Sequence, residues 1–190
     1  MPAPATTAPA EPAHGFGPAE YRKVLGRVPT AVSVVTASTP DGPVGVTVGS
    51  FTSVSLQPPL VMFFCDLAST SAAAVARAGR FCVNVLAEDQ RQQCQAFASR
   101  TGDRFASCSW ETGADGAPHI EGCLAWIDCE VENTFPAGDH IAVLGRVRRL
   151  RAATTEHKPL VFYGGRLGRL DPAPLRHAPT APFGWWDAGI

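Results

Sequence analysis

The sequence lacks the features that would place the chain in a membrane or on nucleic acid. No stretch approaches about 18 uninterrupted apolar residues, so we expect no membrane span. The formal net charge is −1, so no strong positive field favours nucleic acid. The basic run GRVRRLR over 145–151 alternates arginine with apolar residues, and we interpret it as the outer face of a strand.

The sequence also lacks the cysteine patterns of disulfide scaffolds and zinc modules. None of the six cysteines belongs to a CxxC pair. A zinc site can be drawn from Cys108, His119 and Cys123, but its spacing matches no common pattern, and we predict no metal. The segment from Cys123 to Val131 alternates small and apolar residues, which predicts that Cys123 and Cys129 are core residues on one strand face. The first residues, MPAPATTAPAEPAHG, have no basic start or apolar core, so we predict no signal peptide, a cytoplasmic location and reduced thiols.

Motifs of nucleophilic and phosphate chemistry are missing as well. The sequence contains no GxSxG, no GxGxxG and no Walker loop, and no cysteine–histidine pairing is visible. The glycine-rich segment GGRLG over 164–168 does not have the spacing of a phosphate-binding loop. These absences argue against hydrolases, P-loop enzymes and Rossmann dehydrogenases.

What the chain does contain is a series of short β-branched and apolar runs separated by turn residues. Strands are predicted over 31–38, 44–51, 59–65, 81–86, 123–135, 140–150 and 158–165, and helices over 18–28, 69–79 and 87–99. Strands and helices do not alternate regularly, which favours a closed, mostly antiparallel barrel with helices outside over a doubly wound sheet.

The predicted domain organisation is simple. Residues 1–15 are rich in proline, alanine and threonine, which predicts a disordered leader whose removal leaves activity intact. Residues 16–170 form the folded domain. Residues 171–190 are expected to pack on the barrel or on a second subunit, since Trp185 and Trp186 are costly to expose to water.

Two regions carry polar groups that could bind a ligand. The segment 45–60 holds several hydroxyls and ends in a double proline, and Ser69 and Thr70 stand at the start of a predicted helix, where free N–H groups favour phosphate. Each feature alone also fits an ordinary strand or an ordinary N-cap. The sequence GDH over 138–140 is either a hairpin corner or the position of a ligand-binding histidine.

Taken in order, four motifs resemble one family. They are T-x-x-S-F-x-S-V-S-x-x-P-P from Thr47 to Pro59, F-x-V-N-V-L over 81–86, G-D-H over 138–140 and L-G-R-V over 144–147. The set resembles the flavin reductases, small NAD(P)H:flavin oxidoreductases that serve two-component flavin-dependent monooxygenases. The resemblance covers about residues 18–170.

The resemblance implies a mainly β fold, a six-stranded antiparallel split β-barrel of Greek-key topology that binds FMN, with short flanking helices. It implies a homodimer with FAD or FMN near the interface, NADH as the donor with NADPH as the alternative, and a partner monooxygenase that receives free reduced flavin by diffusion. It places His140 at the nicotinamide as the catalytic residue. The residues expected to bind the cofactor are Thr47, Val48, Gly49, Ser50, Phe51, Ser53, Ser55, Cys65, Asp66, Ser69, Thr70, Phe81, Asn84, Gly138, Asp139 and Arg166.

Several of these assignments have a structural alternative. Asp139 also fits a turn residue, Phe51 a core residue and Arg166 a solvated arginine. Gly49 departs from the family pattern, in which asparagine or serine is common, and so loses any side-chain hydrogen bond there. A flavin-storage protein and a relative of pyridoxine-phosphate oxidases are the competing functions. The reductase is preferred because hydride transfer between stacked rings needs no protein nucleophile.

Overall fold

The computed structural model describes residues 15–154 and 157–170, so nearly all of the predicted leader and the whole of the predicted tail lie outside the described residues. The described chain is mainly β with short helices, as predicted. The helices are α1 (Pro18–Leu25), α2 (Thr70–Arg77), α3 (Arg91–Ala98) and a 3-10 turn (Phe105–Ser107). The strands are β1 (Thr30–Ala31), β2 (Ser33–Thr39), β3 (Gly42–Val48), β4 (Thr52–Leu56), β5 (Pro59–Asp66), β6 (Arg80–Val85), β7 (Trp110–Thr112), β8 (Pro118–Ile120), β9 (Ala125–Ala137), β10 (His140–Ala152), β11 (Leu160–Tyr163) and β12 (Arg166–Arg169). None of the described helices is long and apolar enough to cross a membrane.

The main sheet has seven antiparallel strands in the order β3-β2-β6-β9-β10-β5-β4. A three-stranded sheet (β1-β11-β12) and the β7–β8 hairpin lie beside it. The predicted count of six strands is therefore not confirmed. Among the described strands, β3 and β4 each pair with one neighbour and form the two edges of the main sheet. The two edges are consecutive in the chain, so a short connection over 49–51 joins them.

The central strands of the main sheet are covered on both faces. The inner face packs around Phe63 and Phe81, whose rings meet edge to face at 5.2 Å. Gly145 on β10 leaves the space that the Phe81 ring fills, because a Cβ at that position would overlap it. The outer face packs around Phe97 and Trp126, beneath α3 and the β7–β8 hairpin. β5 reads as a continuous apolar run although it is buried on one face only: Val61, Phe63 and Cys65 lie in the inner core, whereas Phe64 is exposed on the other face.

Most local predictions agree with the structure, and several short strands were missed. The hairpin at 136–139, the strand at 59–65 and the helix after residue 69 are confirmed. Strands β4, β7, β8 and β12 were not predicted separately. The prediction for Cys123 was wrong in one respect: Cys129 faces the inner core, whereas Cys123 precedes β9 and packs in the outer core.

The basic run over 145–151 lies on β10, and its arginines point to carboxylates of neighbouring elements. The ion pairs are Arg146–Glu132, Arg148–Glu130, Arg149–Asp115 and Arg151–Glu111. The local positive charge is thus matched by acids, which supports the interpretation as the outer face of a strand.

Candidate functional site

The β9–β10 hairpin positions the predicted histidine. Ala137 pairs with His140, so the loop is the two-residue turn Gly138–Asp139. Gly138 has a φ of +66°, the left-handed region that the first position of such a turn requires. The turn therefore places Asp139 directly before His140, and Asp139 Oδ1 lies 2.6 Å from His140 Nδ1. This hydrogen bond lowers the pKa of the Asp139 carboxyl below its usual value, so Asp139 is ionised and His140 Nδ1 is the donor.

The end of β5 meets this hairpin. Asp66 is the cross-strand partner of His140, and the Leu67 N–H donates to the Asp139 carbonyl at 3.1 Å. The Asp66 carboxylate accepts from the Ala68 N–H at 2.8 Å, which turns the chain toward α2. The fold thus brings Asp66 beside Asp139 and His140, although more than seventy residues separate them in the sequence.

A cleft of about 920 Å³ opens against this corner. It is bordered by the start of α1, by the turn of the β9–β10 hairpin and by one side chain of β5. The lining residues are Phe16, Gly17, Pro18, Tyr21, Arg22, Phe64, Ala137, Asp139 and His140. The volume is that of a small-molecule site, and the exposed rings of Phe16, Tyr21 and Phe64 suit a planar aromatic ligand. The sequence indicated His140 and Asp139 here, but not the contribution of α1.

The hydroxyl segment 47–55 supports the cleft more than it lines it. Ser50 Oγ accepts from the Phe64 N–H at 3.0 Å and donates to the Phe64 carbonyl at 3.3 Å, so it fixes the β5 residue that borders the cleft. Thr47 donates to the Cys94 carbonyl at 2.8 Å, and Val48 is buried in the inner core. Phe51 packs against the same core, which agrees with its structural alternative.

Other predicted residues are not among those that line the cleft. Ser53 and Ser55 belong to the edge strand β4, and Arg166 begins β12 in the separate small sheet. A Cβ at Gly49 would approach Thr30 Oγ1 to 3.0 Å, a distance tighter than most side chains accept. The departure from asparagine or serine at this position therefore has a steric reason in this chain.

Three of the predicted cofactor residues have side chains that lie in the core. Cys65 is buried in the inner core, and burial raises the pKa of its thiol to about 12, so it is an unreactive packing residue. Phe81 fills the space beside Gly145. Asn84 is fully buried, and its amide hydrogen-bonds to β2 and β8. None of the three side chains borders the cleft, because each points into a packed face of the sheet.

The start of α2 borders a second, polar cavity of about 300 Å³. Ser69 caps the helix by accepting from the Ala72 N–H at 3.2 Å, as an ordinary N-cap does. Thr70 and Ser71 face the loop that carries Arg104, whose guanidinium donates to Ser71 Oγ, to the Gly45 carbonyl at 2.9 Å and to the Ser99 carbonyl at 2.6 Å. Arg104 was missed from the sequence because its partners lie on three other segments.

Comparison with known proteins identifies the fold that carries these features. A family model described as the flavin reductase like domain matches residues 25–171. The chain belongs to the flavin reductase family.

Several of its relatives match along most of their length. A flavin reductase of Pseudomonas putida is 49% identical over 152 residues, which is 80% of this chain and 89% of that protein. The reductase subunit HsaB of a flavin-dependent monooxygenase from Rhodococcus jostii is 41% identical and covers 92% of this chain and 87% of its own. The solved structure of the Streptomyces globisporus NADH:FAD oxidoreductase SgcE6, in complex with NAD and FAD fragments, has a TM-score of 0.77 at 34% identity and covers 82% of this chain and 93% of that chain. These relatives confirm the predicted family and favour a catalytic flavin reductase over a storage protein.

Proposed function

We propose that this flavin reductase uses the cleft at His140 to reduce a flavin with a nicotinamide dinucleotide. The observation that carries the proposal is an accessible imidazole, oriented by Asp139, at the edge of a 920 Å³ cleft bordered by aromatic rings. The family match and the named reductases support it. When bound, the flavin accepts a hydride at N5 from nicotinamide C4 and carries the electrons away.

The residues of the cleft fit a flavin in size and chemistry. The volume accommodates a planar ring system, and Phe16, Tyr21 and Phe64 offer apolar surface for its faces. We assign Ser50 to hold Phe64 in place and Asp66, Gly138 and Asp139 to shape the polar corner. The α2 start at Ser69 and Thr70 is assigned to the flavin phosphate, since a helix N-terminus favours an anion.

His140 is assigned to the dinucleotide. Its Nδ1 is engaged by Asp139, so Nε2 is the ring nitrogen left for a ligand. In the neutral ring Nε2 accepts, which suits the amide N–H of a carboxamide, and only the imidazolium could donate to a pyrophosphate oxygen. We favour NADH over NADPH, because the side chains that border the cleft include one arginine, Arg22, and no cluster for a 2′-phosphate. The flavin is FAD or FMN, which share the ring and the ribityl phosphate.

We further propose a homodimer in which a second copy covers α1. None of the residues of α1 is buried in the single chain, although Tyr21, Val24 and Leu25 form an apolar face and Val28 follows it. Contiguous exposed apolar surface of this kind marks an interface. Because the start of α1 borders the cleft, the second copy would lie close to the ligand. In this proposal reduced flavin then leaves for a partner monooxygenase by diffusion, in the cytoplasm.

Anaerobic mixing with NADH and an excess of flavin tests the proposed activity. We expect the visible flavin absorption band to bleach over many turnovers, and parallel reactions with FAD, FMN, NADH and NADPH rank the substrates. Flavin binding without bleaching with either dinucleotide would refute the reductase and favour the storage protein.

A further inference from the structure

A buried polar cluster lies under the β7–β8 hairpin, apart from the proposed flavin site. Cys82 on β6 and Asp128 on β9 are direct cross-strand partners, and His119 reaches them from β8. His119 Nε2 lies 2.7 Å from Asp128 Oδ1, and one ligand atom of each of the three residues lies within 4.8 Å of the others. Cys82 is fully buried, and the side chains of His119 and Asp128 are 9% and 6% exposed.

The cluster is unusual because an ionisable acid, an imidazole and a thiol share one buried site. Its neighbours in the outer core include Phe97, Ile120 and Trp126, which offer little polar compensation. Burying such groups is costly unless they are paired or bind a metal. The hydrogen bond between His119 and Asp128 satisfies part of this requirement and does not involve the thiol.

The site has access to a fourth ligand. A cavity of about 300 Å³ borders His119 and Asp128 and is also lined by Arg149 and Arg151. Both arginines are paired, Arg149 with Asp115 at 3.3 Å and Arg151 with Glu111 at 3.1 Å, which offsets their positive charge. The cavity is the side from which a water ligand would reach His119 and Asp128.

We propose that Cys82 Sγ, His119 Nε2 and an Asp128 carboxylate oxygen bind a divalent transition metal of the zinc type, with a water from the cavity as the fourth ligand. A thiolate, an imidazole and a carboxylate are the ligand types that zinc takes, and three protein ligands plus water complete a tetrahedron. His119 was considered from the sequence with Cys108 and Cys123, but the structure turns its Nε2 to Asp128 instead.

Metal binding to the cluster releases one proton. The metal–sulfur bond forms as the Cys82 thiol loses its proton to solvent, while the His119 proton moves from Nε2 to Nδ1 and Asp128 binds as the carboxylate. Burial and the neighbouring Asp128 raise the pKa of the Cys82 thiol, so the free thiol stays protonated and its proton leaves only with the metal. The ion would tie the β7–β8 hairpin to the two central strands of the main sheet.

Cobalt titration of the full chain, freed of metal with a chelator, tests the proposal. We expect one equivalent of Co²⁺ to produce a thiolate-to-cobalt charge-transfer band and the visible bands of a tetrahedral ion, both displaced by Zn²⁺. Cys82→Ala should lose the charge-transfer band and bind Zn²⁺ about 100-fold more weakly or worse. Cys94→Ala is the matched control, because Cys94 is buried in the same outer core but is not part of the cluster.

The wild-type titration decides the question even if a variant fails to fold. A folded wild-type chain with no charge-transfer band overturns the proposal, as does a folded Cys82→Ala that keeps the wild-type band. His119→Gln provides a second variant, expected to weaken Zn²⁺ binding while circular dichroism shows the native β signal. Thermal melting adds a further check, since a bound ion should raise the Tm of the wild type and of Cys94→Ala but not of Cys82→Ala.

Discussion

Replacing Asn84 by alanine separates a structural role from a ligand-binding role at a position that the family motif marks. The side chain is fully buried on β6. Its Nδ2 donates to the Val34 carbonyl at 3.1 Å and to Thr36 Oγ1 at 2.9 Å, and its Oδ1 accepts from the Ile120 N–H at 2.7 Å. One amide therefore joins β2, β6 and β8.

The expected loss follows from these three contacts. Each hydrogen bond contributes about 0.5–1.5 kcal/mol net, and a buried donor left without a partner costs about 1–3 kcal/mol. Alanine removes all three bonds, strands the Ile120 N–H and creates a small void, which water can partly fill. We therefore expect a decrease of about 2–4 kcal/mol in the free energy of unfolding, and a Tm lower by about 5–15 °C for a chain of this size.

Urea denaturation and flavin fluorescence titration together measure the effect. Asn133→Ala is the matched control, because Asn133 is exposed on β9 and its Oδ1 accepts from the N–H of the adjacent Thr134. The control should change stability by less than about 0.5 kcal/mol. Below its unfolding transition, Asn84→Ala should bind flavin as the wild type does. If Asn84→Ala has wild-type stability and a tenfold weaker flavin affinity, the reasoning is refuted and Asn84 is a flavin-binding residue.

Two further predictions address the cleft. His140→Ala should raise the KM for the nicotinamide dinucleotide about tenfold, because one hydrogen bond is lost. The flavin Kd should change by less than about twofold. An equal loss of dinucleotide and flavin affinity would mean that His140 is structural. Leu25→Glu should convert the dimer to a monomer in analytical ultracentrifugation and weaken flavin binding, because it places a charge on the apolar face of α1. Lys23→Glu on the same helix is the control and should change neither the oligomeric state nor flavin binding. A wild-type chain that sediments as a monomer would contradict the proposed dimer.

The sequence predicted elements whose signals are local. The apolar run of β5, the Gly138–Asp139 turn and the hydroxyl cap of α2 each depend on adjacent residues, and each was found. The β7–β8 hairpin was missed because three-residue strands are too short to show a period of two. Its effect is large, since it covers the outer face of the main sheet and brings His119 to Asp128.

The candidate site shows the same contrast between local signals, which the sequence reveals, and contacts between distant residues, which it does not. Asp139 and His140 are neighbours in the chain, so the motif itself marks them. The roles of Ser50 and Asn84 depend on Phe64, Thr36 and Ile120, which lie 14 to 48 residues away, as the hydrogen bonds show. A motif therefore indicates that a residue matters, but the direction of its side chain, into a cleft or into the core, is decided by strand pairing.

Two histidine–carboxylate pairs, His140–Asp139 and His119–Asp128, show how burial changes what the same interaction can do. His140 and Asp139 are 2.6 Å apart with side chains 42% and 94% exposed, so solvent weakens their attraction and a ligand can rearrange it at little cost. His119 and Asp128 are 2.7 Å apart and almost fully buried, where a hydrogen bond to a carboxylate contributes about 1.5–3 kcal/mol. The exposed pair suits a dinucleotide that must bind and leave in each turnover. The buried pair suits a permanent connection between the β7–β8 hairpin and the main sheet, and a metal ion added to it would strengthen that connection.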